Sequence, residues 1–163
     1  MRHNDAFTLI ELITILVIVG ILAVAIVVST TAKGPIRLEA ACQRLASDLR
    51  YMQQMAMAEQ VRFGISLDTS QETYFGYRIN TSNKAKSPYT QADLEIDFDE
   101  MREFNDIEIT STNFSDAIEF DSMGAPYNAS GVALSSEGII TLTDGTNSRT
   151  VRIEAVTGKV KIQ

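Results

Sequence analysis

Hydrophobic residues are concentrated near the N-terminal end of this chain of 163 residues. Between Phe7 and Val28, 18 of the 22 residues belong to the hydrophobic class. As a helix, such a run extends about 33 Å, which is enough to cross the hydrocarbon core of a bilayer. The preceding residues 1–6 include one arginine and one aspartate, and no Ala-x-Ala site follows the run. The pattern therefore predicts a retained membrane helix over residues 7–32 rather than a secretory signal peptide.

A second helix is predicted after the apolar run, with a kink or short break at Lys33–Pro35 because proline disfavours a continuous helix. Apolar residues then recur at spacings of four and three, which predicts an amphipathic helix over residues 33–60. The apolar stripe comprises Leu38, Cys42, Leu45, Leu49, Met52 and Ala56. We expect this stripe to pack on a sheet, with a coiled-coil partner as the alternative. Cys42 is interpreted as a small buried hydrophobe, and Arg44 and Asp48 are expected to lie off the stripe.

From Val61 onward the pattern changes to short strands separated by turns. The predicted strands are 61–67, 73–79, 94–98, 107–112, 117–120, 138–143, 150–155 and 158–162. The polar segment 80–89 is predicted to be a loop. One long helix followed by several short strands favours an α+β fold, in which the helix packs on a head of antiparallel sheets over residues 61–163.

Composition and charge exclude several kinds of functional site. The chain has one cysteine, one histidine and a formal net charge of −7. One cysteine cannot form an intrachain disulfide, and His3 alone excludes zinc sites built on two or three histidines. No glycine-rich phosphate-binding motif occurs. Since no convergent acid, base and nucleophile are visible, we predict no enzymatic activity, no cofactor and no metal site.

Glu11 is the acidic residue within the apolar run. A carboxylate near the centre of a bilayer costs at least about 2.5 kcal/mol on insertion scales, and it commonly marks a function. Alternatively, Glu11 lies near one membrane surface, where it reaches water and suits the positive end of the helix dipole. The residues alone leave both explanations open.

The segment from Ala6 to Leu12, Ala-Phe-Thr-Leu-Ile-Glu-Leu, resembles the cleavage and methylation motif of type IV prepilins and type II secretion pseudopilins. The resemblance implies that a membrane-embedded prepilin peptidase cleaves after Ala6, removing the leader 1–6, and that Phe7 is then N-methylated. Glu11 matches the family's nearly obligatory glutamate. Cleavage creates an α-amine with a reference pKa of about 8, and pairing of this amine with Glu11 of a neighbouring subunit sets the axial register. Because the family prefers glycine at the position of Ala6, cleavage could be slower.

Three later segments are similar to the GspH/FimT domain of minor pseudopilins and minor type IV pilins. These segments are 46–51, 118–124 and 150–160. The resemblance implies a long N-terminal helix whose second half packs on antiparallel sheets. It also implies a single-pass protein of the bacterial inner membrane, with its head in the periplasm, that assembles with other pilin or pseudopilin subunits. It leaves open whether the filament is a type II secretion pseudopilus or a type IV pilus.

Eleven acidic residues and one arginine occur in the stretch 93–121. This stretch could hold Ca²⁺, but without regular ligand spacing a solvated acidic face is favoured, which could contact a basic subunit or a secreted cargo. Some FimT-like relatives bind DNA through basic residues near their C-terminus. Four basic residues occur in that part of this chain: Arg149, Arg152, Lys159 and Lys161. Because the overall field repels phosphate, DNA binding is kept as the alternative function.

Overall fold

The computed structural model describes residues 8–31, 33–79 and 83–163, without the side chains of residues 23–31 and 33. The chain divides into two compact units, Met1–Lys33 and Gly34–Gln163. Helix α1 (Leu9–Thr31) belongs to the first unit. In the described residues, no helix reaches the length and hydropathy needed to cross a membrane.

Helix α2 (Lys33–Glu59) runs through Gly34 and Pro35 without interruption. Pro35 lies in the first turn, where backbone N–H groups have no intrahelical partner, so the missing donor is tolerated. The predicted kink or break is therefore not found within α2, and the boundary with α1 falls at residue 32, outside the described residues. The helix ends at Glu59, and the following Gln60 adopts a left-handed conformation with φ 56°.

The predicted apolar stripe is buried along the whole of α2. All six of its residues are at most 1% exposed, so helical periodicity alone identified the packed face. Asp48 was expected off the stripe, but it is also only 1% exposed. This difference arises because Asp48 directly precedes Leu49 and lies at the margin of the stripe, where a tyrosine of the sheet supplies a polar partner.

Among the described residues of the second unit, nine antiparallel strands form two sheets. Sheet A has the order β3-β2-β1-β5-β6 and contains β1 (Phe63–Asp68), β2 (Thr73–Arg78), β3 (Glu95–Asp97), β5 (Ala117–Phe120) and β6 (Pro126–Asn128). Sheet B has the order β4-β7-β8-β9 and contains β4 (Glu108–Thr112), β7 (Gly138–Thr143), β8 (Ser148–Ile153) and β9 (Val160–Ile162). The apolar stripe of α2 and the inward residues of both sheets form one hydrophobic core. The α+β prediction is therefore confirmed.

Each of the eight predicted strands is present, with boundaries that differ by a few residues. Strand β6 was not predicted, because it has three residues and begins with a proline. It forms because the Asp121 carboxylate accepts hydrogen bonds from the backbone N–H groups of Met123 and Ala125, both at 2.9 Å, and this tight turn brings β6 against β5. The described part of the predicted loop 80–89 forms two isolated β-bridges, through Lys84 and Lys86.

Candidate functional site

Glu11 lies in the first turn of α1. The backbone N–H of Glu11 donates to the Thr8 side-chain oxygen at 3.4 Å and to the Thr8 carbonyl at 3.1 Å. Thr8 is therefore the N-cap residue, and a glutamate three positions later is the spacing of a capping box. Glutamate therefore occupies a helix position that suits it locally, which agrees with the helix-dipole alternative of the sequence analysis. Ala6 and Phe7 lie outside the described residues.

The described side chains of α1 form an apolar surface. All of them between Leu9 and Leu22 are exposed, including that of Glu11. The Thr14 hydroxyl donates to the Ile10 carbonyl at 2.8 Å, so its polar group is satisfied within the helix itself. Only the Glu11 carboxylate therefore places a charge on this surface.

The basic residues near the C-terminus do not form one surface. Arg149 and Arg152 are three residues apart on β8, so strand alternation places their side chains on opposite faces of sheet B. Arg149 lies on the face towards α2, where its guanidinium is 3.3 Å from the Glu39 carboxylate. Arg152 lies on the other face, beside Lys161 of β9.

Carboxylates pair with the basic residues of this outer face. The Arg152 guanidinium is 2.9 Å from the Glu137 carboxylate, and the Lys161 ammonium binds the Glu154 carboxylate. The second pair raises the pKa of Lys161 and lowers the pKa of Glu154 through a side-chain hydrogen bond. Lys159 is exposed in the turn before β9. Phosphate binding requires clustered, unpaired cations, and this arrangement supplies little unpaired charge.

Ion pairs also fasten the N-terminal half of α2 to the connections of sheet B. The Arg37 guanidinium is 2.6 Å from the carboxylate of Asp106, which precedes β4. A Cβ atom on Gly34 would lie 2.8 Å from the carboxylate of Asp144, in the β7–β8 turn. The Arg149–Glu39 ion pair joins the same half of α2 to β8, so Arg149 has a structural role in holding the helix on sheet B.

The acidic stretch 93–121 is partly neutralised by bases from other parts of the chain. Lys86 pairs with Asp93 at 2.7 Å, and Lys84 pairs with Glu95 at 2.6 Å. Other acids of the stretch lie near Glu72, which precedes β2. Burial raises the pKa of Glu72, and repulsion by these nearby acids, above all Asp99, raises it further. Among the residues that the structure describes, no group of three or more histidine, cysteine or acidic residues is placed to hold a metal ion.

A buried polar cluster between α2 and sheet A was not predicted. One Asp48 oxygen accepts the Tyr74 hydroxyl at 2.8 Å and the Arg44 Nε–H at 3.0 Å. Burial and the Asp48 carboxylate raise the pKa of Tyr74 well above its ordinary value. The only sequence signal for this cluster is an acidic residue next to the apolar stripe.

A second polar cluster covers the outer face of sheet A. The Glu119 carboxylate accepts the Tyr77 hydroxyl at 2.8 Å and lies 3.7 Å from the Arg62 guanidinium, which stacks 4.1 Å from the Tyr127 ring centroid. A Cβ atom on Gly64 would be 3.0 Å from the Glu119 side chain and 3.1 Å from the Tyr77 ring. Gly64 therefore leaves the space through which Tyr77 reaches Glu119 across β1.

Gln53 joins two distant turns of the head. Its side-chain amide donates to the carbonyls of Gly124 at 2.8 Å and Thr157 at 3.0 Å. Gly124 and Gly158 have φ of 83° and 66°, a conformation that favours glycine. A Cβ atom on Gly158 would overlap the Gly124 carbonyl, so the two turns are in direct contact. They belong to the segments that resemble the GspH/FimT domain.

A long helix whose apolar stripe packs on two antiparallel sheets, preceded by an apolar helix with a glutamate in its first turn, defines a pilin-like subunit. The family profile described as Type II transport protein GspH matches residues 41–157, and the profile of the prokaryotic N-terminal methylation motif matches residues 1–27. The chain therefore belongs to the GspH family. No curated protein sequence matches the chain.

Solved structures of minor subunits share this fold. The minor pseudopilin EpsH from the Type 2 Secretion System of Vibrio cholerae superposes with a TM-score of 0.57 at 10% identity, over 78% of this chain and 96% of that chain. Two crystal forms of the type IV minor pilin FimU of Pseudomonas aeruginosa PAO1 give TM-scores of 0.52 at 13% and 15% identity. Both superpositions cover 77% of this chain; they cover 92% of the FimU chain in the first crystal form and 87% in the second. At these identities the likeness establishes the fold.

Proposed function

We propose that the chain is a minor pseudopilin or minor pilin subunit of a type II secretion pseudopilus or a type IV pilus. Prepilin peptidase removes the leader 1–6 by cleaving between Ala6 and Phe7, and Phe7 is N-methylated. Residues 7–32 anchor the protein in the inner membrane and later pack in the filament core. Residues 33–60 support the head, 61–163, in the periplasm. The methylation-motif match over residues 1–27 is the observation that carries this function.

Glu11 is the residue that we assign to assembly. It belongs to the apolar surface of α1, where a charge without a partner is costly once helices pack together and water is excluded. Cleavage before Phe7 would create an α-amine that is largely cationic at neutral pH. Pairing of the two charges between neighbouring subunits would fix their axial offset.

In a capping box the side chain at the position of Glu11 accepts a hydrogen bond from the N-cap backbone N–H, which would give the Glu11 carboxylate a competing, local role. One pair of substitutions separates the two roles. Glutamine also serves at the third position of a capping box, but it carries no charge. If Glu11 acts through its charge, both Glu11→Gln and Glu11→Ala prevent incorporation while leaving membrane insertion intact. If it acts only as a helix cap, Glu11→Gln assembles normally.

The test measures incorporation of the full chain into sheared filaments of cells that supply the other subunits and the peptidase. Each variant is compared with the unchanged chain at equal membrane abundance, and Thr14→Val serves as a matched control that alters another polar group of α1. Normal incorporation of Glu11→Gln would refute the pairing role. Loss with Thr14→Val as well would mean that the assay reports general damage to the helix.

The sequence indicates a structural subunit rather than an enzyme, and the GspH family match supports this assignment. We therefore expect its partners to be other pilin or pseudopilin subunits, prepilin peptidase and the inner membrane. Binding of DNA would need cations that the structure instead pairs with carboxylates, above all on the outer face of sheet B. Assembly is accordingly the function that the chain supports best.

A further inference from the structure

Strand β3 forms one edge of sheet A, and among the described strands it is hydrogen-bonded to β2 alone. The Gly76 N–H donates to the Leu94 carbonyl at 2.9 Å, which fixes the alternation of backbone groups along this antiparallel pair. In this register, residues at even positions, such as Leu94 and Ile96, direct their backbone N–H and C=O groups towards β2. The backbone groups of Glu95 and Asp97 therefore point away from the sheet.

Two of those four outward groups are used locally. The Glu95 N–H donates to the Asp93 carbonyl at 3.0 Å, and the Asp97 carbonyl accepts the Met101 N–H at 3.2 Å. Within the described residues, the Glu95 carbonyl and the Asp97 N–H are left without a backbone partner. One acceptor and one donor on adjacent outward positions are what an added strand requires.

A groove follows this edge. A cavity of about 660 Å³ is lined by Asp97 and Glu100, and a second of about 330 Å³ reaches Arg44 on α2. Residues that line both cavities are Ala92, Asp93, Glu95 and Met101. Because the two cavities share four lining residues, they adjoin each other beside β3, and together they are called the groove.

The two ends of the groove differ in chemistry. At one end the Arg44 guanidinium lies 5.4 Å from the ring centroid of Tyr89, whose side chain is 67% exposed, and arginine and tyrosine are frequent anchors of interfaces. At the other end are the carboxylates of Asp97 and Glu100. Among the ion pairs of the described residues, neither carboxylate has a basic partner, whereas Asp93 and Glu95 have lysines.

We propose that the free edge of β3 binds an extended, lysine- or arginine-bearing segment of a neighbouring protein, which adds to sheet A as a further strand. The carboxylates of Asp97 and Glu100 supply the charge complementarity, because neither has a basic partner among the described residues, although Asp97 also accepts the backbone N–H groups of Asp99 and Glu100. These carboxylates also disfavour a second copy of this chain, because pairing two β3 edges would place like charges opposite each other. Short, charged edge strands resist indiscriminate pairing, so the edge of β3 favours a basic strand over other strands. This binding concerns the head and does not depend on cleavage after Ala6.

The test is a titration of the ¹⁵N-labelled full chain in detergent micelles with the peptide Lys-Val-Lys-Val-Lys, followed by NMR. We expect the amide signals of β3 to shift and hydrogen exchange of the Asp97 amide to slow. The peptide Glu-Val-Glu-Val-Glu should cause neither change. Absence of shifts at β3 with the basic peptide, or equal shifts with both peptides, would overturn the proposal.

Two controls separate strand addition from attraction of charge. The same basic peptide with N-methylated backbone amides keeps its charge but loses its donors, so it should not protect the Asp97 amide. Glu100→Gln should weaken binding of the unmodified peptide roughly two- to fivefold at low salt, as for an exposed ion pair. The matched variant Glu103→Gln removes an exposed charge outside the groove and should leave binding unchanged. Equal protection by the N-methylated peptide would refute strand addition.

Discussion

The side-chain amide of Gln53 holds two turns of the head against α2, and the substitution Gln53→Ala removes both of its hydrogen bonds. A hydrogen bond between neutral groups contributes about 0.5–1.5 kcal/mol, so two contribute about 1–3 kcal/mol. The bond to the Gly124 carbonyl is partly buried, where water replaces the lost donor poorly, whereas the bond to the Thr157 carbonyl is exposed. Alanine gains a few tenths of a kcal/mol of helix propensity, which slightly reduces the loss.

Gln54 is a matched control for this change, because it is exposed and has no side-chain hydrogen bond among the described residues. Gln54→Ala makes the same gain in helix propensity without losing a contact. In melts of the full chain in micelles, followed by near-ultraviolet circular dichroism, we expect Gln53→Ala to melt about 4–12 °C below Gln54→Ala. Equal melting temperatures would refute the assignment of Gln53 as the residue that joins the turns.

Three further predictions follow from the described contacts. Burial raises the pKa of Cys42 to about 11, so iodoacetamide should alkylate it at pH 8 only after unfolding, as mass spectrometry would show. The raised pKa of Glu72 means that its ionisation opposes folding, so Glu72→Gln should raise the melting temperature slightly at pH 7 but not at pH 3. In gel shifts, the full chain should not retard duplex DNA; retardation lost with Arg152→Ala or Lys161→Ala would contradict the ion-pair account.

The elements of the fold were predictable wherever one chain segment carries its own periodic signal. The α2 stripe is an example, because spacings of three and four define the buried face without reference to the rest of the molecule. Strand β6 shows the limit of this approach. It is short and begins with Pro126, and it pairs with β5 only because the side chain of Asp121 shapes the intervening turn.

Features that join distant parts of the chain were not predictable. Asp48 and Tyr74 are 26 positions apart, and Gln53 bonds to a carbonyl 104 positions away, so both contacts depend on tertiary register. The basic residues near the C-terminus show a signal that was available but unused. Arg149 and Arg152 are an odd number of positions apart, and strand alternation alone would have placed them on opposite faces.

The N-terminal segment around Ala6, Phe7 and Glu11 presents the opposite case, because here the sequence is more informative than the structure. The sequence supplied the motif around Ala6, Phe7 and Glu11, whereas the structure adds only the cap between Thr8 and Glu11. A capping hydrogen bond is local and acts within one chain. An intersubunit ion pair acts between chains, so a single subunit does not display it, and its test must be made on the assembled filament.

Processing of the N-terminus tests the central claim most directly. The measurement is the intact mass and N-terminal sequence of the full chain after co-expression with a prepilin peptidase, beside the chain expressed alone. We predict loss of residues 1–6 and an N-terminal Phe7 that carries one methyl group. A chain that keeps Met1 at full peptidase activity, confirmed on a known prepilin in the same cells, would contradict the account. It would indicate that Ala6 blocks cleavage and that the protein stays a membrane-anchored relative outside the filament.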